Sequence, residues 1–324
     1  MRYRALGNSG LQVSIVGLGS WLTFGNTVNL DATRACVHAA WERGVNFLDT
    51  ANVYASGAAE ETLGSIISEL ERGVLVLATK VFFPTGDRVN ERGLSRKHIR
   101  DQVERSLRRL HVDYIDLYQC HRFDFSTPLE ETCAAMNDLV RAGKILYWGV
   151  SEWNADQIAA AAALCLARGW SVPISNQPQY SALWRRIEDR VIPICRRYGL
   201  GNVVWSPLAM GALSGKYAHA APPPPGSRGA GPFREMMEDY LTQGVLDAVQ
   251  RLVPIAKEAG CTLPQLAVAW CLRLPEISSA IVGATNVGHV MENVAAADLD
   301  VDPVVFEQMN LVLDPVRPNE PYLA

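Results

Sequence analysis

The sequence predicts an α/β protein: a (β/α)8 TIM barrel with an N-terminal β-hairpin and long loops on the catalytic face, residues 1–324 forming one domain. Two observations carry that prediction. Short apolar runs and amphipathic stretches alternate about eight times at a spacing of roughly 30 residues, which implies a parallel sheet, and eight such units suit closure into a barrel. Three consecutive predicted strands also finish on an ionisable group. Residues 45–48 deliver Asp49, residues 74–79 run into Lys80, and residues 114–120 run into His121. In a parallel barrel those strand ends lie side by side on one face. A doubly wound sheet is the structural alternative, but no Gly-x-Gly-x-x-Gly follows the first strand, so nothing supports a dinucleotide site of that type.

The elements follow in order. Residues 3–6 and 11–16, separated by Gly7-Asn8-Ser9-Gly10, read as the hairpin, and Val16-Gly17-Leu18-Gly19 as the first buried strand. A helix starts at Asp31, with Ala35, Ala39 and Ala40 on one face, and Gly44 ends it. After the Asp49 strand comes a helix over residues 60–67. Behind the Lys80 strand, Ile99, Val103, Leu107 and Leu110 mark an amphipathic helix whose Arg100, Glu104, Arg105 and Arg108 face solvent. Thr127-Pro128-Leu129-Glu130 reads as a helix start, with Thr127 as cap, Pro128 in the first position and Glu130 completing a capping box. Gly143 stops that helix, and residues 145–150 form a strand ending at Ser151-Glu152-Trp153-Asn154. An alanine-rich helix to about Arg168, a short strand at 174–177, a helix at 188–198 and a strand at 202–206 come next. Helices at 246–258 and 263–272 precede an eighth strand at 279–282. The proline- and glycine-rich residues 222–232 lie beyond the seventh strand on the catalytic side; they read as a long mobile loop, of a length often used as a lid, rather than a linker.

Composition narrows the function. A net charge of −4 and a pI near 5.9 argue against a nucleic-acid footprint. No apolar run approaches the roughly 20 residues that cross a bilayer, so no membrane insertion is expected. The N-terminus lacks a long apolar signal core, and the expected location is cytoplasmic. The seven cysteines are odd in number and scattered, with no Cys-x-x-Cys, which argues against a disulfide framework or structural zinc; no metal is expected.

The chemistry lies at the strand ends. Tyr54 is the natural proton donor for a carbonyl. A phenol of ordinary pKa about 10 exchanges protons poorly near neutrality, so Lys80 is expected to bring the value down, with Asp49 holding that lysine. His121 could orient the carbonyl oxygen or share the proton. The set has no hydride of its own, so a cofactor must bring one. Each residue alone also has a structural reading: Asp49 and Lys80 as an ion pair, Tyr54 as loop packing, His121 as a satisfied polar group. A lysine at a barrel strand end can instead form a Schiff base, which the nearby tyrosine argues against. Cys120, beside His121, reads as a buried inert thiol rather than an oxidant-sensitive one.

Along nearly its whole length the chain resembles the aldo-keto reductases. Asp49-Thr50-Ala51-Asn52-Val53-Tyr54, Lys80 and His121 match that family's tetrad. Gly19-Ser20-Trp21, Trp205-Ser206-Pro207-Leu208, residues 211–217 and Gly283-Ala284-Thr285-Asn286 through Glu292-Asn293 resemble the branch holding the potassium-channel beta subunits and their bacterial relatives. Channel-associated members often carry Asn where this chain has His121, and the histidine points to a working reductase. The resemblance implies catalytic Asp49, Tyr54, Lys80 and His121, and an NADPH site. Ser20 and Trp21 would join that site, Ser151 and Gln177 would hold the nicotinamide carboxamide with Glu152 beside them, and Trp205, Ser206, Pro207 and Leu208 would line the path to the pyrophosphate. Gly211, Ser214, Lys216 and Arg228 would meet the phosphates, and Gly283, Thr285, His289, Glu292 and Asn293 the adenosine end. Many members carry a basic residue near the 2′-phosphate where this chain has Gly283 and His289, so NADH stays open beside NADPH. Trp21, Tyr54, Phe82, Phe83 and His121-Arg122-Phe123-Asp124 would wall the pocket of an aldehyde or small ketone. A homo-oligomer, a tetramer by analogy, is implied. The alternative function is a redox-sensing channel subunit with slow turnover, whose partner would be the channel.

Overall fold

A computed structural model of the protein describes residues 1–218 and 221–317. Two antiparallel strands, β1 (Tyr3–Ala5) and β2 (Gln12–Ser14), form the hairpin, with Tyr3 opposite Ser14. Eight parallel strands then close a barrel in the order β10-β3-β4-β5-β6-β7-β8-β9. These are β3 (Val16–Gly19), β4 (Phe47–Asp49), β5 (Val76–Val81), β6 (Ile115–Cys120), β7 (Ile145–Ser151), β8 (Ser175–Gln177), β9 (Gly201–Trp205) and β10 (Ile277–Val282). Helices α1 (Leu30–Glu42), α2 (Ala58–Ile67), α3 (Arg96–Leu110), α4 (Leu129–Arg141), α5 (Ala155–Arg168) and α6 (Val191–Tyr198) follow strands β3 to β8 in turn. The return from β9 to β10 carries α7 (Gln243–Glu258) and α8 (Leu263–Leu272), and α9 (Val287–Ala295) and α10 (Pro303–Leu313) close the chain.

The strands are buried on both faces, which separates two apolar compartments. Phe47, Val76, Ala78, Leu117, Val203 and Ile281 fill the barrel interior, and Leu6 and Val13 of the hairpin plug its lower end. The larger compartment lies between strands and helices. The plug is tied down by polar contacts. The Arg4 guanidinium donates to the carbonyl oxygens of Leu272, Leu274 and Ile277 at 2.8, 3.0 and 2.5 Å. Gly7 has φ +59°, and a Cβ there would stand 2.2 Å from the carbonyl oxygen of Gly199, so only glycine fits that turn. With the hairpin sealing one end, a substrate can approach only at the opposite rim, where the strands end.

Register sets that rim. Asp49 pairs with Gly19 and Ala78, Lys80 with Gln119, and Ser151 with Gln177. Alternate strand residues face inward, so Asp49, Lys80, Gln119 and Gln177 converge as one polar layer above the apolar fill.

Several local expectations fail for identifiable reasons. Helix α1 buries Thr33, Cys36, Val37 and Ala40, whereas Ala35 is exposed and Ala39 half-buried. Cys36 and Val37 turn the buried face past Ala35 and Ala39, while Ala40 stays in it. Thr127 does not cap α4. Its hydroxyl donates to Asp124 Oδ2 at 2.7 Å, and Pro128 stands at the cap with no side-chain hydrogen bond. Helix α6 begins at Val191, three residues after the expected Glu188. Helix α10, unassigned from the sequence, has Asp302 as its cap, accepting from Val304 N at 2.9 Å. Residues 222–232 form a loop with one 3₁₀ turn, Arg228–Ala230, pinned by Gly229 N donating to the Tyr217 hydroxyl at 3.2 Å.

Candidate active site

Lys80 is 0% exposed at the end of β5. An ammonium has three donors and is expensive to bury unless each finds an acceptor. Here Nζ donates to Asp49 Oδ2 at 2.5 Å, to the Thr50 carbonyl oxygen at 2.7 Å and to the Tyr54 hydroxyl at 3.3 Å. The Asp49 carboxylate is held in turn by Gln177 Nε2 at 2.8 Å and Gln119 Nε2 at 3.5 Å, both on Oδ1. The His121 ring stands 5.6 Å from the Tyr54 ring, edge to face, and 4.9 Å from Phe83. The three residues expected from the strand ends and Tyr54 are therefore one contiguous group.

Tyr54 is placed by an unusual turn. Three consecutive residues after it have left-handed backbone: Ala55 at φ 49°, Ser56 at φ 55° and Gly57 at φ 101°. Such a conformation costs an L-residue roughly 1–2 kcal/mol, so surrounding contacts must enforce it. The enforcing contacts come from below. Glu60, fully buried in α2, accepts the Thr79 hydroxyl at 2.5 Å and Arg109 Nε at 2.7 Å. Arg109 lies directly under Gly57, where an added Cβ would meet its Cδ at 3.2 Å. One carboxylate thus joins the residue preceding Lys80 to the turn carrying Tyr54.

The electrostatics differ from expectation at Tyr54. Burial raises the phenol and outweighs the Lys80 charge, which lowers it, so the net direction is above the ordinary value rather than below. The sequence shows the lysine but not the depth of the hydroxyl. For Lys80, burial alone would lower the ammonium, and Asp49 and Tyr54 reverse that, leaving it raised. His121 is held well below the ordinary imidazole value, first by burial and then by the Lys80 and Arg122 charges. Burial also pushes the Cys120 thiol far up, which disfavours the reactive thiolate.

The His121 shift has a consequence for stability. The unfolded chain takes a proton near pH 6.5 while folded His121 stays neutral. Its contribution is whole above that pH and is lost progressively as pH falls toward the folded value. Chemical denaturation at pH 7, 6 and 5 should show falling stability, with a shallower fall in His121→Asn. Equal slopes in the two proteins would mean that His121 takes up a proton in the folded state.

The remaining expected residues fall into three groups. Ser151 donates to the Gln177 carbonyl oxygen at 2.9 Å, which couples both to the Asp49 end of the site. Glu152, at φ 57°, accepts Gln179 N at 2.5 Å and Trp205 Nε1 at 2.7 Å, and Trp205 meets Trp21 edge to face at 5.7 Å. Phe82 and Phe83 are in contact at 5.2 Å, and Phe123 packs on Trp153 at 4.8 Å.

A second group follows β9. Ser206 caps a turn by accepting Met210 N at 2.8 Å, with Pro207 buried and Leu208 half-buried beside it. Ser214 donates to the Gly211 carbonyl oxygen at 2.7 Å, and Arg228 reaches the Met210 carbonyl oxygen at 3.2 Å. Arg228 is half-buried, burial lowers its guanidinium, and neither it nor Lys216 has a carboxylate partner among the described residues. Arg228 reaches Met210, and a Cβ on Gly211 would stand 3.9 Å from Lys216 Nζ, so both cations flank the left-handed Met210–Gly211 turn and suit an anion.

The third group is at α9, where Thr285 Oγ1 lies 3.0 Å from His289 Nδ1, Glu292 is half-buried and Asn293 buried. A Cβ on Gly283 would meet nothing within 4 Å. No hydrogen bond or ion pair among the described residues joins this group to Lys216 or Arg228.

Around the tetrad, Ser20 Oγ, Gln119 Oε1 and His121 Nδ1 are buried without partners. Such orphaned atoms, with Lys216 and Arg228 lacking a carboxylate partner among the described residues, fit a bound dinucleotide. Sequence reasoning missed Gln119, Glu60 and Arg109. Gln119 was findable, since it alternates inward between Leu117 and His121; the Glu60–Arg109 pairing crosses two helices and leaves no local signal.

A sequence model of the Aldo/keto reductase family matches residues 15–314. Similar proteins include the probable voltage-gated potassium channel subunit beta of Arabidopsis thaliana, 41% identical over 98% of this chain and 99% of that one. The rice protein of the same description (Oryza sativa subsp. japonica) is 41% identical over 99% of this chain and 98% of its own. The putative voltage-gated potassium channel subunit beta of Schizosaccharomyces pombe is 39% identical over 96% and 93%. With its closed eight-stranded barrel and this match, the chain belongs to the Aldo/keto reductase family and is an NAD(P)H-dependent oxidoreductase.

Proposed function

We propose that the protein reduces aldehydes or small ketones to alcohols, prefers NADPH, and uses Tyr54 as proton donor. The observation that carries this reading is the buried chain from Asp49 through Lys80 to the Tyr54 hydroxyl, beside a neutral His121. Bound NADPH would supply the hydride to the carbonyl carbon. Tyr54, raised by burial, keeps its proton in the resting site and is therefore charged for donation. As negative charge grows on the carbonyl oxygen, Tyr54 passes its proton across, and the phenolate left behind faces Lys80 Nζ at 3.3 Å. Neutral His121 orients the oxygen as a hydrogen-bond donor without adding a charge that would compete for the proton. Asp49 keeps the lysine in place, and Gln119 and Gln177 keep Asp49 in place.

Ser20, Trp21, Ser151, Gln177 and the Trp205–Leu208 turn would hold the nicotinamide end. Gly211, Ser214, Lys216 and Arg228 would hold the phosphates, and Gly283, Thr285, His289, Glu292 and Asn293 the adenosine end. Lys216 and Arg228 motivate the NADPH preference, which requires one of them to reach the 2′-phosphate as well as the pyrophosphate that NADH shares. One charge-assisted contact to the extra phosphate corresponds to roughly tenfold or more in affinity. A fluorescence titration should give NADPH the tighter binding by about that factor, and a screen of aldehydes and ketones should show its oxidation. Equal or tighter NADH binding would sink the preference, and an inert screen the activity. The reading also takes residues 1–324 as one domain of a cytoplasmic homo-oligomer.

The names of the similar proteins favour a second reading, a slow redox-sensing subunit of a potassium channel. Capture of a channel tetramerisation domain together with negligible reduction of the carbonyl panel would support it over the first.

A further inference from the structure

We propose that Arg122 is a specificity residue which selects carbonyl substrates bearing an anionic group, a carboxylate or a phosphate. The inference rests on the reductase reading above and names the substrate class for that site. Arg122 follows His121 directly at the end of β6. Its Nη1 donates to the His121 carbonyl oxygen at 2.6 Å, and its Cζ lies 5.4 Å from the centre of the Phe83 ring, which itself packs on the His121 ring at 4.9 Å. The guanidinium is therefore fixed against the aromatic wall beside the reacting oxygen, and its charge lowers both the Tyr54 phenol and the His121 imidazole.

Arg122 lacks a counter-charge among the described residues, a property it shares with Arg228 beyond β9, but it alone of the two stands beside the tetrad. Four other partly buried arginines are paired: Arg72 with Asp116 at 2.7 Å, Arg109 with Glu60 at 2.6 Å, Arg185 with Asp314 at 3.1 Å and Arg273 with Glu188 at 2.9 Å. Arg4 is satisfied by three carbonyl oxygens. Arg122 makes no ion pair with any described residue. The acid that feels it, Glu152, uses its Oε1 to accept Gln179 N and Trp205 Nε1, and stands outside ion-pair distance. A guanidinium carries five N–H donors in a fixed fork, and one is engaged by His121. The rest form a half-buried cationic fork of the geometry that binds carboxylate or phosphate in a bidentate manner. A carbonyl seated between Tyr54 and His121 would bring an anionic tail on the same molecule to this fork.

The test compares matched aldehydes: 4-carboxybenzaldehyde against 4-nitrobenzaldehyde, and glyceraldehyde 3-phosphate against glyceraldehyde. The wild type should favour the charged member of at least one pair in kcat/KM, and which pair shows it tells carboxylate from phosphate. Arg122→Met should lower that charged-to-neutral ratio roughly 10- to 100-fold, with most of the change in KM. Arg122→Lys, which keeps the charge and loses the fork, should restore part of the ratio and guards against a misfolded methionine variant. Were Arg122 merely balancing Glu152, both members of a pair would suffer alike and the ratio would not move; that result overturns the proposal. A wild type with no preference for either charged aldehyde also overturns it, while reduction of none of the four removes the reductase reading itself.

Discussion

Tyr54→Phe should lower kcat by about 10²- to 10⁴-fold, the usual weight of a positioned general acid, with NADPH affinity nearly intact. The substitution removes one oxygen and keeps the ring that packs against His121 at 5.6 Å. It deprives Lys80 of its longest contact, at 3.3 Å, and leaves those to Asp49 and Thr50. The buried ammonium keeps its counter-charge and two of its three acceptors, at a stability cost of about 1–3 kcal/mol. Turnover is then the quantity most at risk, since the ion pair that neutralises the buried lysine is untouched. Lys80→Met is a poorer probe, because it strands the buried Asp49 carboxylate and confounds chemistry with a folding cost of several kcal/mol. Steady-state nicotinamide absorbance gives kcat, and quenching of protein fluorescence gives cofactor affinity. Turnover unchanged by the missing hydroxyl would take Tyr54 out of the mechanism.

The two-sided burial of the barrel strands explains how much of this site was legible in the chain. A strand buried on both faces reads as a continuous apolar run, so a charged residue at its end stands out. Asp49, Lys80 and His121 were visible for that reason, and eight such runs were enough for the barrel. The alternation of inward positions could also have given Gln119. Less was legible where two local partners compete for one group. Thr127 has a helix start within reach, yet Asp124 takes its hydroxyl at 2.7 Å. In α1 the alanines are periodic, yet Cys36 and Val37 bury more apolar surface and turn the helix. The direction of the Tyr54 shift depends on how deep the hydroxyl lies, a property of the whole rim that no neighbouring residue encodes.

Replacing Glu60 by alanine should cost about 3–5 kcal/mol of stability, the range for breaking a buried ion pair by removing one partner. Glu60 is fully buried, and Arg109 is only 20% exposed in its side chain, so solvent can repair little. The Thr79 hydroxyl would also lose its 2.5 Å acceptor. Removing both charges should hurt less than removing one: Glu60→Leu with Arg109→Met takes away the attraction and the stranded cation together. A urea titration of the wild type, the single variant and the double variant measures both statements. The activity of the single variant should fall as well, because Thr79 precedes Lys80 in β5 and Arg109 supports Gly57 behind Tyr54. A loss of stability with kcat untouched would show that the turn carrying Tyr54 holds its left-handed backbone without this carboxylate. A single variant as stable as the double would show that Arg109 finds water once Glu60 is gone.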